Sequence, residues 1–183
     1  LMNNSNGVSF RLATAADTSA ATPLIYSAGP TIIDYVFKNA RKNPTDFLSF
    51  CFGSGKGEFG YQCHYVGERD GKVICAGAGL TGSEFLEMNL NTAGKILGHY
   101  GLVHWFGIAW KGLQVERTLV PPRKDEQILA HICVDQKSRG LGVGNDFVDY
   151  LLAQCNAPNI GLDVAIENES AIKLYKKKCF EIT

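Results

Sequence analysis

Val134-Asp135-Gln136-Lys137-Ser138-Arg139-Gly140-Leu141-Gly142-Val143-Gly144 is the stretch that decides the fold. It follows a run of apolar and β-branched residues, Glu126 to Val134 (EQILAHICV), that reads as a strand. It opens a second run, Gly142 to Cys155, in which Val148, Leu151, Leu152 and Cys155 recur at helical spacing with Phe147 beside them. The order is strand, glycine-rich turn, helix. Glycines let the main chain come close to a ligand and point successive N–H groups at it. The helix N-terminus adds partial positive charge, so the turn has the makings of a pyrophosphate cradle. Arg139 adds a cation capable of a bidentate contact. The dinucleotide fingerprint G-x-G-x-x-G is not met: Gly140, Gly142 and Gly144 give G-x-G-x-G, and no acidic residue ends a second strand in the expected manner.

Within the strand, Ile128, Ala130, Ile132 and Val134 share one face and Gln127, Leu129, His131 and Cys133 the other. The first face is uniformly apolar. The second is mixed, as suits a central strand beside a site. Downstream, Asn156 and Pro158 end the helix, and Gly161 to Ile166 reads as a short buried strand. Asn168 is a good N-cap for a helix through Lys178, with Ala171, Leu174 and Tyr175 on its inner face. Glu169 lies in its first turn and Lys176, Lys177 and Lys178 in its last, as the helix dipole favours. The lysine run is therefore a solvated helix end rather than a nucleic-acid patch.

Upstream, Val8 to Ala13 reads as a strand. Helical stretches follow from Asp17, interrupted by Pro23, and from Thr31 to Asn39. Asn43-Pro44 breaks the chain before a helical Asp46 to Phe52. Gly53-Ser54-Gly55-Lys56-Gly57 is a flexible loop that lacks the G-x-x-x-x-G-K-S/T spacing of a phosphate loop. Tyr61 to Glu68 and Lys72 to Gly79 flank Asp70-Gly71, a strong type I′ hairpin signal. The segment 82–122 is apolar and punctuated by glycines, and predicts two or three short helices. It packs the core, or it walls a pocket with Trp105, Phe106 and Trp110, and the two readings are compatible.

At 183 residues the chain predicts one domain over 1–183, divided into 8–81, the insert 82–122 and 123–183. Lys+Arg and Asp+Glu are 18 each, and zero formal charge argues against a broad hold on nucleic acid or anionic membrane. None of the 6 cysteines forms a C-x-x-C pair, so no metal site is expected. Cysteines within apolar runs predict reduced, buried thiols and a cytoplasmic protein. Residues 1–7 are polar and resemble no signal peptide, and no apolar stretch is long enough to span a membrane.

The central stretch resembles the acetyl-CoA-binding motif of the GNAT N-acetyltransferase superfamily, written Arg/Gln-x-x-Gly-x-Gly/Ala. Arg139, Gly142 and Gly144 stand at its defined positions, and Val134 stands where the family's strand ends in valine. A second segment is similar to the family's strand-plus-helix ending N-x-x-A-x-x-L-Y-x-x-x-G-F, with Asn168, Ala171, Leu174, Tyr175 and Phe180 matching. Cys179 replaces the usual glycine, which leaves the backbone of that turn open. The resemblance extends less firmly over 8–80, where Arg11 and Asp17 look like the family's start, and is absent from 82–122.

The resemblance implies a mixed α/β fold: a central twisted mixed sheet flanked by helices, with a helical insert between the hairpin and the CoA-binding strand. It implies acetyl transfer from acetyl-CoA to a primary amine of a small molecule or peptide. The CoA diphosphate is expected on Arg139, Gly140, Leu141, Gly142, Val143 and Gly144, and the pantetheine arm along Ile132, Cys133 and Val134, placed by Asn168 and Ala171. Tyr175 is the implied acid. Glu126 and His131 are the candidate bases, ahead of His64, His99 and His104, and a water chain could serve instead. Trp105, Phe106 and Trp110 are the expected substrate wall. A catalytically silent acyl-CoA-binding module on the same fold is the alternative. The family's sheet usually runs on past the second segment, so the resemblance also implies completion by residues beyond Thr183 or by a neighbouring chain, which makes a homodimer compatible with this reading.

Overall fold

The structure, a computed structural model, describes residues 2–3, 7–38 and 42–182. One sheet carries β1 (Met2–Asn3), β2 (Ser9–Leu12), β3 (His64–Arg69), β4 (Lys72–Thr81), β5 (Glu126–Val134) and β6 (Asn159–Gly161), neighbours in that order. β1 to β5 pair antiparallel, and β6 joins β5 in parallel. The helices are α1 (Thr18–Ala28), α2 (Pro30–Phe37), α3 (Pro44–Gly53), α4 (Phe85–Tyr100), α5 (Leu102–Glu116), α6 (Val143–Gln154) and α7 (Glu169–Lys177). The fold is the mixed sheet flanked by helices that the resemblance implies. No helix is long and apolar enough to cross a membrane among the described residues.

Local chemistry explains most boundaries. Asp70 (φ 50°) and Gly71 (φ 73°) both take the left-handed conformation that a type I′ hairpin requires. Asn43 caps α3 by accepting from the Thr45 N–H at 3.3 Å, with Pro44 in the first turn, where its missing N–H is harmless. The insert is two helices, α4 and α5, divided at Gly101. Two boundaries differ from expectation. Pro23 does not interrupt α1, which runs through it. The strand expected over 161–166 is instead Asn159–Gly161, and the chain then leaves the sheet, with Ile166 at 86% exposure. The expected helix end at Asn39, and the opening residues 1 and 4–6, lie outside the described residues.

The sheet separates two buried clusters. α1 to α5 cover one face, with Phe47, Phe52, Val66, Ala76 and Cys133 among the buried residues. α6 covers the other, packing Val143, Phe147 and Leu151 on Phe10, Cys75 and Leu129. The faces of β5 differ from the simple alternation. His131 takes a left-handed φ of 56°, and the register slips so that Ala76 pairs Cys133 while Ala78 pairs Ala130. Three steps on β5 match two on β4, which is a bulge. The extra residue reverses the phase: Leu129 joins Ile132 and Val134 in the α6 cluster, while Cys133 belongs to the other.

Candidate active site

The turn between β5 and α6 is held by its own side chains and shaped by its glycines. Asp135 accepts from the Lys137 N–H at 3.1 Å and starts a single 3-10 turn over Gln136–Ser138. Gly140 (φ 77°) and Gly142 (φ 79°) then take left-handed conformations that L-residues rarely adopt. Gly142 is the N-cap of α6 and supplies no capping side chain. No N-cap side chain occupies the first turn of α6, which suits a diphosphate cradle. Arg139 also has a local anchoring contact. Its Nε donates to the Val134 carbonyl at 3.0 Å, tying the turn to the strand end. A Cβ on Gly144 would meet only ordinary contacts, Val134 at 3.6 Å and Leu174 at 3.8 Å, which is why alanine also satisfies a motif of this kind.

β5 and β6 pair only over Glu126–Ile128 against Asn159–Gly161. Beyond Ile128, β5 keeps a strand neighbour on the β4 side alone, so main-chain groups at Leu129 to Val134 face the gap where β6 has turned away. A cleft of about 490 Å³ opens here. Its floor is Ile128 to His131. Ile33, Phe37, Leu80 and Phe85 line it together with Leu113, Val115 and residues of the segment after α5. Glu58, His131, Glu116, Arg117 and Asp163 add charged or titratable groups to this apolar lining. Burial, and then the nearby charge of Glu58, push the Glu116 carboxyl above its ordinary range.

His131 is the predicted catalytic residue that the structure brings to this cleft. It sits on the bulge, with Nε2 3.5 Å from Glu58 Oε1 and Nδ1 3.3 Å from His64 Nε2. Phe59 stacks on its ring at 4.9 Å. His64 is fully buried, and burial is the main reason its pKa falls to about 3. Glu58 and Phe59 escaped the sequence reading, because only tertiary structure joins the loop before β3 to the middle of β5.

The other candidates are placed elsewhere. Glu126 closes a turn: its Oε2 accepts from the Arg123 N–H at 2.8 Å, and its own N–H donates to the Arg123 carbonyl at 3.0 Å. Tyr175 is half-buried on α7, edge-on to Phe180 at 5.9 Å, and burial pushes its hydroxyl above the usual tyrosine range. Asn168 caps α7, its Oδ1 accepting from the Ala171 N–H at 3.2 Å and the Ser170 hydroxyl at 3.0 Å, so a contact with a ligand falls to Nδ2. Ile132 and Val134 pack on the α6 side, and Cys133 Sγ lies 2.9 Å from Ser27 Oγ, so these residues can offer a ligand main-chain groups rather than side chains. Trp105, Phe106 and Trp110 are not in the cleft wall. Trp105 braces α5 on α4, its Nε1 donating to the Ala93 carbonyl at 3.0 Å, while Phe106 (66% exposed) and Trp110 (57%) point outward. The insert contributes the end of α5 and the segment after it instead.

Comparison with curated protein sequences gives no match. An N-acetyltransferase from Staphylococcus aureus Mu50 superposes with a TM-score of 0.70 at 20% identity, over 96% of this chain and 91% of that one. Another acetyltransferase structure gives 0.66 at 21% identity, over 96% and 90%. A diaminobutyrate acetyltransferase from Paenibacillus lautus, in complex with L-2,4-diaminobutyric acid and coenzyme A, gives 0.51 at 12%, over 93% and 74%. At such identities these likenesses establish the fold. The model of the acetyltransferase (GNAT) family matches residues 52–179, spanning β3 to α7, the glycine turn and the cleft floor, and on that match the chain belongs to the GNAT acetyltransferase family.

Proposed function

We propose that the chain is an N-acetyltransferase that moves the acetyl group of acetyl-CoA to a primary amine of a small molecule or peptide, by direct attack of the amine on the thioester. The observation that carries this reading is the position of His131, a bulged residue in the lining of an apolar cleft, on the strand that leads into the glycine turn. Acetyl-CoA supplies an activated acyl group, so the protein's part is to bind, orient and manage protons.

The first amides of α6 hold the diphosphate, and the free side of β5 from Leu129 to Val134 pairs with the pantetheine amides. A main-chain N–H near Ile132 or Val134 stabilises the carbonyl oxygen as it gains charge. His131 Nε2 accepts the proton of the incoming amine. Tyr175 is the acid toward the departing sulfur, and its raised pKa keeps it protonated at neutral pH. Apolar walls with Glu58, Glu116 and Asp163 between them suit an ammonium group on an apolar body. The 6 cysteines are free thiols, in keeping with a cytoplasmic location. A homodimer is the assembly this reading allows, and mass in solution against concentration measures it.

The test is release of free thiol from acetyl-CoA across a panel of amines. Amine-dependent release, strongest with apolar primary amines, is expected. Binding of CoA with no turnover by any amine would leave a silent acyl-CoA-binding module as the answer.

A further inference from the structure

The glycine loop 53–57 matches no phosphate-binding pattern, yet it packs against the turn that carries Glu58, Phe59 and Gly60. The chain folds back after it so tightly that a Cβ on Gly60 would stand 2.1 Å from the Gly55 carbonyl oxygen. Only glycine fits there. The Gly60 carbonyl is thereby fixed 2.7 Å from His64 Nδ1. A carbonyl only accepts, so the His64 proton is on Nδ1. His64 is buried and neutral, which leaves its Nε2 a bare acceptor. That nitrogen faces His131 Nδ1 at 3.3 Å, so His131 Nδ1 must donate. The lone pair of neutral His131 is then on Nε2, and once protonated that nitrogen faces the Glu58 carboxylate 3.5 Å away, which favours the imidazolium. The two imidazole planes lie within 8° of parallel, and Phe59 closes the other face of His131.

We propose that His64 is a positioning residue: anchored by the Gly60 carbonyl, it locks His131 in the Nδ1–H tautomer, so that Nε2, beside Glu58, is the atom that takes the amine proton. The role of that proton rests on the acetyl-transfer reading, whereas the tautomer chain rests on geometry alone. In the step, an N–H bond of the acceptor ammonium breaks and an N–H bond forms at Nε2. The amine keeps its electron pair for the thioester carbon, and the positive charge passes to the imidazole, which Glu58 faces. The charged and titratable groups facing His131 are Glu58 from the loop and His64 from β3. Glu116 and Arg117 at the end of α5, and Asp163 after β6, share the same cleft.

Nitrogen-15 NMR of the imidazoles in the intact protein at about pH 8 reads this directly. Nδ1–H tautomers for both His64 and His131 are expected. An Nε2–H tautomer at either residue overturns the proposal, whether or not any amine is acetylated. Kinetics supply the second readout. His64→Phe keeps a ring but removes the acceptor, and kcat should fall about 10- to 100-fold with KM for acetyl-CoA within about twofold. The acid limb of its pH profile should move, and His64→Gln, whose Oε1 can accept in place of Nε2, should restore most of the rate. Equal losses in both variants with an unmoved limb overturn the positioning role. If the wild-type protein acetylates no amine, the acetyl-transfer reading fails, and the NMR result still decides the tautomer.

Discussion

β5 presents two unlike faces. Toward α6 it offers Leu129, Ile132 and Val134 to a closed apolar layer in which Phe147 and Leu151 are at most 1% exposed. On the opposite side, Cys133 meets Ser27, and His131 meets His64, Glu58 and an open cleft. One residue, the bulged His131, separates the two regimes. The closed face has no polar requirement and tolerates no loss of volume. The open face carries polar groups that, on the function proposed above, act through their protonation state. The α6 face is apolar packing alone, whereas the other face combines its own buried cluster with the polar groups of the proposed site.

The largest expected effect is on the closed face. Phe147 is fully buried, with its ring 5.4 Å from that of Phe10. Phe147→Ala should cost about 3–5 kcal/mol, or a fall in Tm of roughly 10 °C, by thermal unfolding. The tautomer chain on the other face should survive in whatever fraction remains folded. Phe106→Ser, on the exposed outer face of α5, should change stability by less than about 0.5 kcal/mol. If Phe106→Ser were as damaging as Phe147→Ala, the exposed insert face would be part of the folding core after all.

The next effect separates the faces by pH. The folded protein holds His64 near a pKa of 3, against 6.5 for an ordinary histidine. Between these values the unfolded chain binds a proton that buried His64 rejects. Stability should therefore fall as pH drops from about 6.5 toward 3, by about 1.4 kcal/mol per pH unit from this one group. Asp17, held down to about 2 chiefly by its hydrogen bond to Arg11, loses its contribution lower, as pH falls from 3.8 toward 2. Urea unfolding from pH 7 to 4 measures the slope. His64→Phe should give a lower but flatter profile, and an unchanged slope would mean that the open face is not where the acid sensitivity lies.

How much of this was legible follows from the same division. The bounds of β5, the glycine turn and the α6 stripe could be read because each is a local requirement: a run, a spacing, a period of 3.6. The face assignment within β5 could not. A bulge adds one residue without a local mark, and here the left-handed position is held by histidine rather than glycine. His64 is 67 positions from His131, and nothing periodic connects them. The insert was read as helical because Gly101 and its apolar content are local. Which side of α5 turns inward is decided by contact with α4, so the sequence alone points to Trp105, Phe106 and Trp110 as a wall and not to the α5 end that lines the cleft. The turn joins the two faces and supplies a third test. Gly142→Ala at φ 79° should cost about 1–2 kcal/mol and raise KM for acetyl-CoA about tenfold with less effect on kcat. A stable variant with unchanged KM would remove the cradle from the binding site.

The smallest effect is at the end of α7, where the family's glycine is replaced. Cys179 nevertheless takes the left-handed conformation, φ 65°. The Phe180 N–H bonds to the Tyr175 carbonyl at 3.1 Å and the Cys179 N–H to the Lys176 carbonyl at 3.1 Å, the paired bonds of a Schellman cap. The ring contact between Tyr175 and Phe180 is the apolar closure that goes with it, and Phe180 packs on the α6 side of the sheet. The cap geometry is retained because these bonds and contacts outweigh the strain of a Cβ at positive φ. Cys179→Gly relieves that strain, of about 1–2 kcal/mol, but gives back part of it in backbone entropy. A net gain of about 1 kcal/mol is expected, seen as a Tm higher by roughly 2–4 °C with the acid slope of His64 unchanged. A loss of stability instead would mean that the thiol itself makes contacts worth more than the strain, and that the replacement is part of how α7 is held against the closed face.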